Sequence, residues 1–366
     1  MKIGVTFNVR QARAARESSP PWQSTVPRDD GSHTPSIGSL ALPRDDEDEE
    51  FDAPETIEAL ATALTDLGHD VELLGYGEPL LRRLLSGPRP DLVWNIAEGH
   101  GGCRSREARA PAVLEMLDIP YTGSDPLTLA TALDKDCAKR LVALAGVATA
   151  PWLLVGPDID WESVESELAA MRFPVFVKPA FEGSSKGILT TSIIPDRVQL
   201  RAALEALAEV YRQPVLVEEF IDGDELTVGI LGNRSPEVLG VMRVLPSKDA
   251  KGPFVYGLEA KRDWQHQVRY ECPAQLTAKD TAAVREAALV CWRALGCRDV
   301  ARVDFRLRQG VPYFLEANPL PGMSPISGDL VILSGHSGIE YRELVARILQ
   351  ATLNRLDLVP EPSLVG

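Results

Sequence analysis

Two segments with alternating apolar and polar residues, 301–307 and 313–318, constrain the fold of this chain most strongly. Their odd positions are apolar and their even positions mostly polar, which is the period of two expected of strands that bury one face. A three-residue loop at 309–311 would join them as a hairpin. The face predicted to be buried carries Val303, Phe305, Leu307, Tyr313, Leu315 and Ala317.

The opposite face of this hairpin brings four polar side chains together. Asp304 lies opposite Glu316, and Arg302 lies opposite Asn318. Two carboxylates at roughly 5 Å repel each other unless a cation or a donor lies between them. With the amide oxygen of Asn318 they form an all-oxygen set suited to a hard cation such as Mg²⁺. A solvated polar face is the alternative, but the rigid turn at 319–323 favours a site.

Composition indicates a globular protein of two or three domains. The chain has 366 residues, 45% of them hydrophobic and 25% charged. Its net charge of -15 argues against a nucleic-acid surface. The acidic run at residues 45–50 is predicted to be a solvated loop, although recruitment of a basic partner is an alternative.

Cysteine usage and the first residues indicate a cytoplasmic protein. The five cysteines show neither a paired spacing nor a zinc-ligand spacing. Residues 1–7 enter a strand without a signal-type apolar core, and no segment reaches the ~18 apolar residues of a membrane span.

The order of elements predicts an N-terminal α/β domain over residues 1–123, interrupted by a mobile insertion at about 10–50. Two α+β units follow, at residues 124–214 and 215–366. Helices are predicted to start at a cap on Asp52, to span 106–117, and to span 127–145, the last with Lys135 and Lys139 on one face.

A strand at 175–178 delivers Lys178 and is followed by Glu182 and a Gly/Ser/Lys loop at 183–187. Two glycines that flank hydroxyl side chains give a flexible loop rich in donors for phosphate oxygens. It is not a Walker A loop, and an ordinary polar turn is the alternative.

The strand at 215–218 ends in acids and an aliphatic-aromatic pair, which is typical of an adenine site. Glu218 would meet the exocyclic amine, Phe220 and Ile221 the ring, and Glu225 the ribose. A salt-bridged strand end is the alternative. Lys135 and Lys261 are either surface lysines or phosphate ligands.

Taken together, these motifs resemble the ATP-grasp ligases and, within them, the D-alanine:D-alanine ligases most closely. The likeness extends from about residue 91 to 349. It rests on Lys135, Lys178, E-G-S-S-K-G at 182–187, V-E-E-F-I at 217–221, Glu225, E-A-K at 259–261, R-V-D at 302–304 and L-E-A-N-P-L-P-G-M at 315–323.

The resemblance implies a Rossmann-like N-terminal domain before two ATP-grasp subdomains, with ATP and two Mg²⁺ ions, or Mn²⁺ instead, as cofactors. Lys135 and Lys178 would hold phosphates beneath the loop of Glu182, Ser184 and Ser185. Glu218, Phe220, Ile221 and Glu225 would bind adenosine. Asp304, Glu316 and Asn318 would bind the metals, and Lys261, Ser185, Arg302 and the Gly322 N–H would act in catalysis.

The implied reaction joins a carboxylate to an amine through an acyl phosphate, with amino acids or a short peptide as substrates. Glu98, Arg262 and Ser327 are the candidate substrate residues. Arg262 stands where the family usually has an aromatic residue, so the identity of the substrates stays open. An ATP-binding regulatory protein and a small-molecule kinase are the alternatives, and a homodimer is expected.

Overall fold

The computed structural model describes residues 1–10, 46–247 and 254–358. Most of the insertion predicted at about 10–50 lies outside the described residues. Within the described ranges, no helix combines the length and the apolar character that a membrane crossing requires.

The N-terminal unit is built on a three-stranded parallel sheet of order β2-β1-β3. Parallel neighbours need crossover connections, and helices supply them. Strands β1 and β3 are apolar along most of their length because both faces are covered. The elements are β1 Lys2–Phe7, α1 Pro54–Asp66, β2 Asp70–Leu73, α2 Glu78–Ser86, β3 Leu92–Ile96 and α3 Arg109–Met116.

Two helix boundaries in this unit differ from the prediction. The N-cap of α1 is Ala53, because Asp52 continues the extended chain and bonds through its backbone to Asn8 and Arg10. Helix α3 begins at Arg109 rather than at residue 106. Residues 103–108 form turns instead.

The single helix predicted at 127–145 is two helices, α4 Pro126–Leu133 and α5 Lys135–Leu144. They are separated at Asp134, whose carboxylate accepts hydrogen bonds from the N–H groups of Asp136 and Cys137. This side chain caps α5 and competes with continuation of α4. Lys135 therefore lies in the first turn of α5, where its N–H donates to the carbonyl of Ala180.

The central unit is a four-stranded antiparallel sheet of order β4-β7-β5-β6, covered by two helices. Strand β7, which the predicted boundary at 214/215 assigned to the last unit, pairs here with β4 and β5. The division into domains stays a prediction. The elements are β4 Trp152–Val155, α6 Trp161–Leu168, β5 Val175–Pro179, β6 Ile193–Ile194, α7 Arg197–Tyr211 and β7 Val215–Glu219.

The C-terminal unit is a five-stranded antiparallel sheet of order β10-β9-β8-β11-β12. The apolar face of the long helix α10 packs against this sheet. The elements are β8 Asp224–Gly232, β9 Glu237–Pro246, α8 Leu258–Arg262, α9 Trp264–Gln267, β10 Val268–Glu271, α10 Ala278–Leu295, β11 Asp299–Arg308, β12 Val311–Asn318, α11 Asp329–His336 and α12 Tyr341–Arg355.

The hairpin of β11 and β12 forms as predicted, but its turn is one residue shorter. The loop is Gln309 and Gly310 alone, with φ angles of 52° and 79°. Two-residue loops with positive φ match the twist of paired strands. A bulge between Asp304 and Phe305 shifts the register back, so that Asp304 still lies opposite Glu316.

The bulge also corrects the predicted buried face of β12. Because pairing near the turn is offset by one residue, Phe314 enters the core at 1% exposure and meets the edge of Phe305. Tyr313 and Leu315, which were predicted to be buried, stay partly exposed.

One hydrophobic core joins the first and last parts of the chain. It combines β1, β3 and α1 with residues from α11 and α12, and Trp94 and Leu344 are among its buried members. The N-terminal sheet is therefore held against the C-terminal helices.

Candidate active site

The predicted metal ligands lie together on the polar face of the hairpin. Asp304 pairs with Glu316, and Arg302 pairs with Asn318, in the register of β11 and β12. The Asn318 amide nitrogen donates to Asp304 at 3.2 Å, which leaves its oxygen available. Thr227 on β8 donates to the same carboxylate at 2.9 Å. The alternation in sequence therefore predicted this cluster correctly.

The two carboxylates differ in pKa because their cationic neighbours differ. Burial raises the pKa of Asp304 to about 6, although Arg302 opposes the shift. Burial also disfavours ionisation of Glu316, but Lys135, Lys178, Lys261 and Arg302 outweigh it and lower its pKa to about 2. Glu316 is thus held as an anion inside a ring of cations.

Two carboxylates and an amide oxygen fit a hard divalent cation by donor type. Among the described residues, no group of three His, Cys, Asp or Glu side chains lies close enough to hold a metal. The remaining ligands of such an ion would have to come from phosphate or water, as is usual for Mg²⁺.

Three lysines and two carboxylates form a buried network beneath this face. Lys178 and Lys139 bind the two oxygens of Glu218 at 2.8 and 2.7 Å, and together they lower its pKa to about 2 against the effect of burial. Lys135 lies 3.7 Å from Glu316. Sequence reasoning missed the role of Lys139, although its position four residues after Lys135 pointed to it.

The Gly/Ser loop has an unusual backbone. Ser184 and Ser185 have φ angles of 45° and 60°, a region that residues other than glycine seldom adopt. The Ser185 hydroxyl donates to the carbonyl of Tyr256 at 3.1 Å. The Glu182 carboxylate, for which a nucleotide contact stays a prediction, binds Lys186 at 2.5 Å and Gln213 at 2.6 Å. It therefore anchors the loop.

The residues predicted to bind adenosine line a cavity of about 80 Å³ between the central and C-terminal sheets. Phe176 and Phe220 stack with their ring centroids 6.4 Å apart. Glu225 forms an ion pair with Arg306 at 2.7 Å, and Ile221 is buried. The cavity lies below the roughly 300 Å³ at which ligand sites begin, so nucleotide entry requires its walls to separate.

A larger cavity of about 740 Å³ lies between the N-terminal unit and the other two. Lys261, Arg302 and Glu316 line both this cavity and the smaller one. The two spaces therefore meet at a wall of charged side chains.

The candidate substrate residues also face the larger cavity. Glu98, Ser327 and Gly322 line it. Arg262 binds Glu49 at 2.8 Å. Arg302 donates to Asp329 at 2.8 Å, a contact that sequence reasoning missed because the acid lies in α11, after the turn.

The prediction that residues 45–50 form a solvated loop is wrong for the described part, residues 46–50. Asp46, Asp48 and Glu50 are 4%, 7% and 8% exposed. Tyr211 donates to Asp46 at 2.6 Å, and Arg106 donates to Glu50 at 2.5 Å.

Partners from distant parts of the chain accompany the burial of these acids, since an unpaired carboxylate would not leave water. Glu50 also accepts from the N–H of Gly183 and lies 3.6 Å from Lys186. Residues 46–50, hereafter the acidic strap, therefore connect the N-terminal unit to the Gly/Ser loop.

Comparison of the sequence with protein families matches residues 141–350 to the family described as D-ala D-ala ligase C-terminus. The D-alanine–D-alanine ligase of Aquifex aeolicus is 34% identical over 80% of this chain and 93% of its own length. The corresponding ligase of a Synechococcus species is 36% identical over 83% and 90%. The uncharacterized protein y4sG of Sinorhizobium fredii is 35% identical over 81% and 87%.

Solved structures share the fold along the whole chain. The D-alanine–D-alanine ligase of Bacillus anthracis complexed with ATP superposes with a TM-score of 0.69 at 21% identity, over 98% of this chain and 99% of that one. The VanG D-Ala:D-Ser ligase of Enterococcus faecalis gives 0.67 at 22% identity, over 96% and 99%. An N-terminal α/β domain followed by an ATP-grasp module is thus confirmed as the fold class.

Proposed function

The chain belongs to the D-alanine–D-alanine ligase family, and from that premise we propose that its two cavities bring ATP and an amino-acid carboxylate to one shared wall. It is an ATP-dependent, ADP-forming ligase that makes a peptide bond. The residues that carry out the reaction and the substrates that it joins are proposals.

The shared wall is the observation that supports the proposal most directly. Lys261, Arg302 and Glu316 line both the 80 Å³ and the 740 Å³ cavity. A phosphoryl group that passes from ATP in one cavity to a carboxylate in the other must cross there. Fixed cations at that point stabilise the charge that builds up on the phosphoryl oxygens.

Two bond exchanges make up the proposed reaction. An oxygen of the first substrate's carboxylate attacks the γ phosphorus, whose bond to the bridging oxygen breaks to release ADP. The amine nitrogen of the second substrate then attacks the acyl carbon and loses a proton, and the bond from that carbon to the phosphate oxygen breaks. The products are an amide, ADP and inorganic phosphate.

We assign the phosphates of ATP to Lys135 and Lys178, which are buried and face Glu316 and Glu218. Lys139 would orient Lys178 through the carboxylate that the two lysines share. The Gly/Ser loop would close over the γ phosphate and exclude water from the acyl phosphate.

We assign the acyl oxygen to the side of Arg302, whose guanidinium is held by Asp304 and Asp329 at 2.9 and 2.8 Å. A guanidinium fixed by two carboxylates needs little reorganisation when negative charge develops beside it. The N–H of Gly322, which lines the same cavity, would be the second donor to that oxygen.

Mg²⁺ is the ion we propose for Asp304, Glu316 and Asn318, with Mn²⁺ as a substitute. When bound, it would neutralise phosphate charge and align the reacting oxygens. Binding of Mg²⁺ with a nucleotide analogue should depend on Glu316, and calorimetry measures this without turnover.

We infer that the substrates are amino acids or a short peptide, as in the relatives named for D-alanine ligation. Arg262, which stands where the family usually has an aromatic residue, lines the larger cavity together with Ser324, Ser327 and Gly328. They are where specificity for another amino acid would arise.

A pairwise screen of D- and L-amino acids and dipeptides tests the proposal. ADP and phosphate are measured by coupled assays, and the new amide is measured by mass spectrometry. Equal amounts of ADP, phosphate and amide support it. A phosphorylated compound without free phosphate would identify a kinase. Absence of ADP formation with every pair would favour a nucleotide-binding protein without ligase turnover.

A homodimer and a cytoplasmic location, both expected from the sequence and the resemblance, remain predictions. Light scattering of the purified chain measures the first.

A further inference from the structure

Three carboxylates at the N-terminal end of the larger cavity are left without a partner. Asp52, Glu98 and Glu107 line this cavity, and the side chain of none of them makes a hydrogen bond or ion pair with a described residue. Glu107 is 8% exposed. The three come from separate segments, before α1, after β3 and before α3, so the tertiary fold alone brings them together.

Other acids along the same cavity are neutralised by cations of the chain. Glu49 binds both Arg10 and Arg262, and Glu50 binds Arg106. The contrast leaves three acidic side chains at one end of the cavity without a cation of the chain paired to them.

Burial without a partner is costly for a carboxylate. Burial raises the pKa of Glu107 to about 8, which Arg106 and Lys135 offset only in part. Glu98 is affected in the same way, and the nearby Glu107, Glu50 and Asp52 raise its pKa further. A cationic ligand would remove this cost.

A simple amino acid does not satisfy all three acids. With its carboxylate at the shared wall it offers a single ammonium, which can pair with only one or two of them. The C-terminal unit supplies the shared wall and the N-terminal unit supplies the unpaired acids, and Glu107 is close enough to Lys135 and Glu316 for their charges to affect its pKa. The acids that the ammonium of the reacting amino acid leaves unpaired fit a second cation.

We propose that Asp52, Glu98 and Glu107 bind a basic side chain, so that one of the two substrates is a diamino acid or a short peptide with a basic residue. This inference rests on the proposed function, because it takes the larger cavity to be the amino-substrate site.

Calorimetry with a matched pair of ligands tests it without turnover. The full chain, with Mg²⁺ and a non-hydrolysable ATP analogue, is titrated with ornithine and with norleucine, which has a methyl group in place of the side-chain ammonium. Both enantiomers of each are used. One enantiomer of ornithine is expected to bind at least about ten-fold more tightly than norleucine of the same hand, as for one buried charge pair.

Two variants locate the effect. Glu107→Gln keeps the shape of the side chain and should bring the ratio of the two affinities close to one. Glu58→Gln, on the exposed side of α1, removes the same charge and should leave the ratio unchanged. If Glu107→Gln does not fold by circular dichroism, Glu98→Gln takes its place with the same expectation.

Equal affinities for ornithine and norleucine, no binding of ornithine, or an unchanged ratio in the Glu107 or Glu98 variant would overturn the inference. The proposed function is judged separately by amide formation. Efficient ligation of neutral amino acids, with no preference for ornithine, would refute the basic-side-chain inference and support the proposed ligase. Preferential binding of ornithine without amide formation would support the inference and refute the proposed function.

Discussion

At the scale of single residues, Glu316 is the group on which the proposed chemistry depends most. Its carboxylate lies 3.7 Å from Lys135 and 3.9 Å from Arg302, and these cations keep its pKa near 2. It is therefore ionised at neutral pH.

We expect Glu316→Gln to reduce ADP formation by at least about a hundred-fold, because the amide keeps the shape but removes the negative charge proposed to bind metal. A coupled ADP assay measures the loss, and urea unfolding checks that the fold is kept. An active Glu316→Gln protein would refute the proposed site.

Arg262→Tyr should change which amino acid is accepted. The substitution removes one cationic partner of Glu49 and places an aromatic ring at the cavity. We expect KM for the amino substrates to change while KM for ATP stays within about two-fold, since uniform substrate contacts act on KM. An unchanged substrate profile would show that Arg262 does not contact substrate.

Glu107 should lower the stability of the unliganded protein as the pH rises. Its folded-state pKa of about 8 lies above its ordinary value of 4.5. An acid with a raised pKa binds more protons when folded, so stability falls between pH 4.5 and about 8.

Glu107→Gln should therefore stabilise the protein by on the order of 4 kcal/mol at pH 8 and by less than about 1 kcal/mol at pH 5. Urea unfolding of both proteins at the two pH values measures this. An equal effect at both would mean that the carboxylate is already neutralised.

At the scale of elements, the acidic strap holds the Gly/Ser loop to the N-terminal unit. The side chains of Glu50 and Arg106 are 3% and 2% exposed in their ion pair. A buried pair that loses one partner leaves an uncompensated charge.

Glu50→Gln should destabilise the protein by about 3–5 kcal/mol, as measured by urea unfolding. The double variant Glu50→Gln/Arg106→Gln should lose less than the sum of the single variants, since no lone charge remains. Glu78→Gln, in an exposed pair with Arg82, is the control and should cost no more than about 1 kcal/mol. Additive single losses would contradict the coupling.

At the scale of the whole molecule, the N-terminal sheet and the last helices share one core. Leu344 on α12 is fully buried in the cluster that contains Trp94 of β3. The first and last parts of the chain should therefore unfold together.

Leu344→Ala should lower the free energy of unfolding by about 2–5 kcal/mol. The unfolding transition measured by fluorescence of the six tryptophans, Trp94 among them, should shift together with the transition measured by circular dichroism. Leu127→Ala, at a leucine that is 76% exposed, is the control and should cost less than about 0.5 kcal/mol. Separate transitions would show that the N-terminal unit folds alone.

Local patterns were sufficient to predict many elements. β1 lies within residues 1–7, where a strand was predicted, and the hairpin face that carries Asp304 and Glu316 follows from alternation alone. Strand period and helix length are properties of neighbouring residues, so a sequence determines them directly. The break at Asp134 was missed because apolar spacing continues through it, although an aspartate can cap a helix there.

Contacts between distant segments required the tertiary structure. The bulge beside Asp304, the burial of Asp46 and Glu50, and the meeting of Asp52, Glu98 and Glu107 each depend on partners far away along the chain. An acidic run is ordinarily solvated, and its burial here depends on partners far away along the chain, such as Arg106, Lys186 and Tyr211. The chemistry of the phosphoryl site could therefore be predicted from motifs, whereas the charge of the substrate cavity depends on which side chains the fold leaves unpaired.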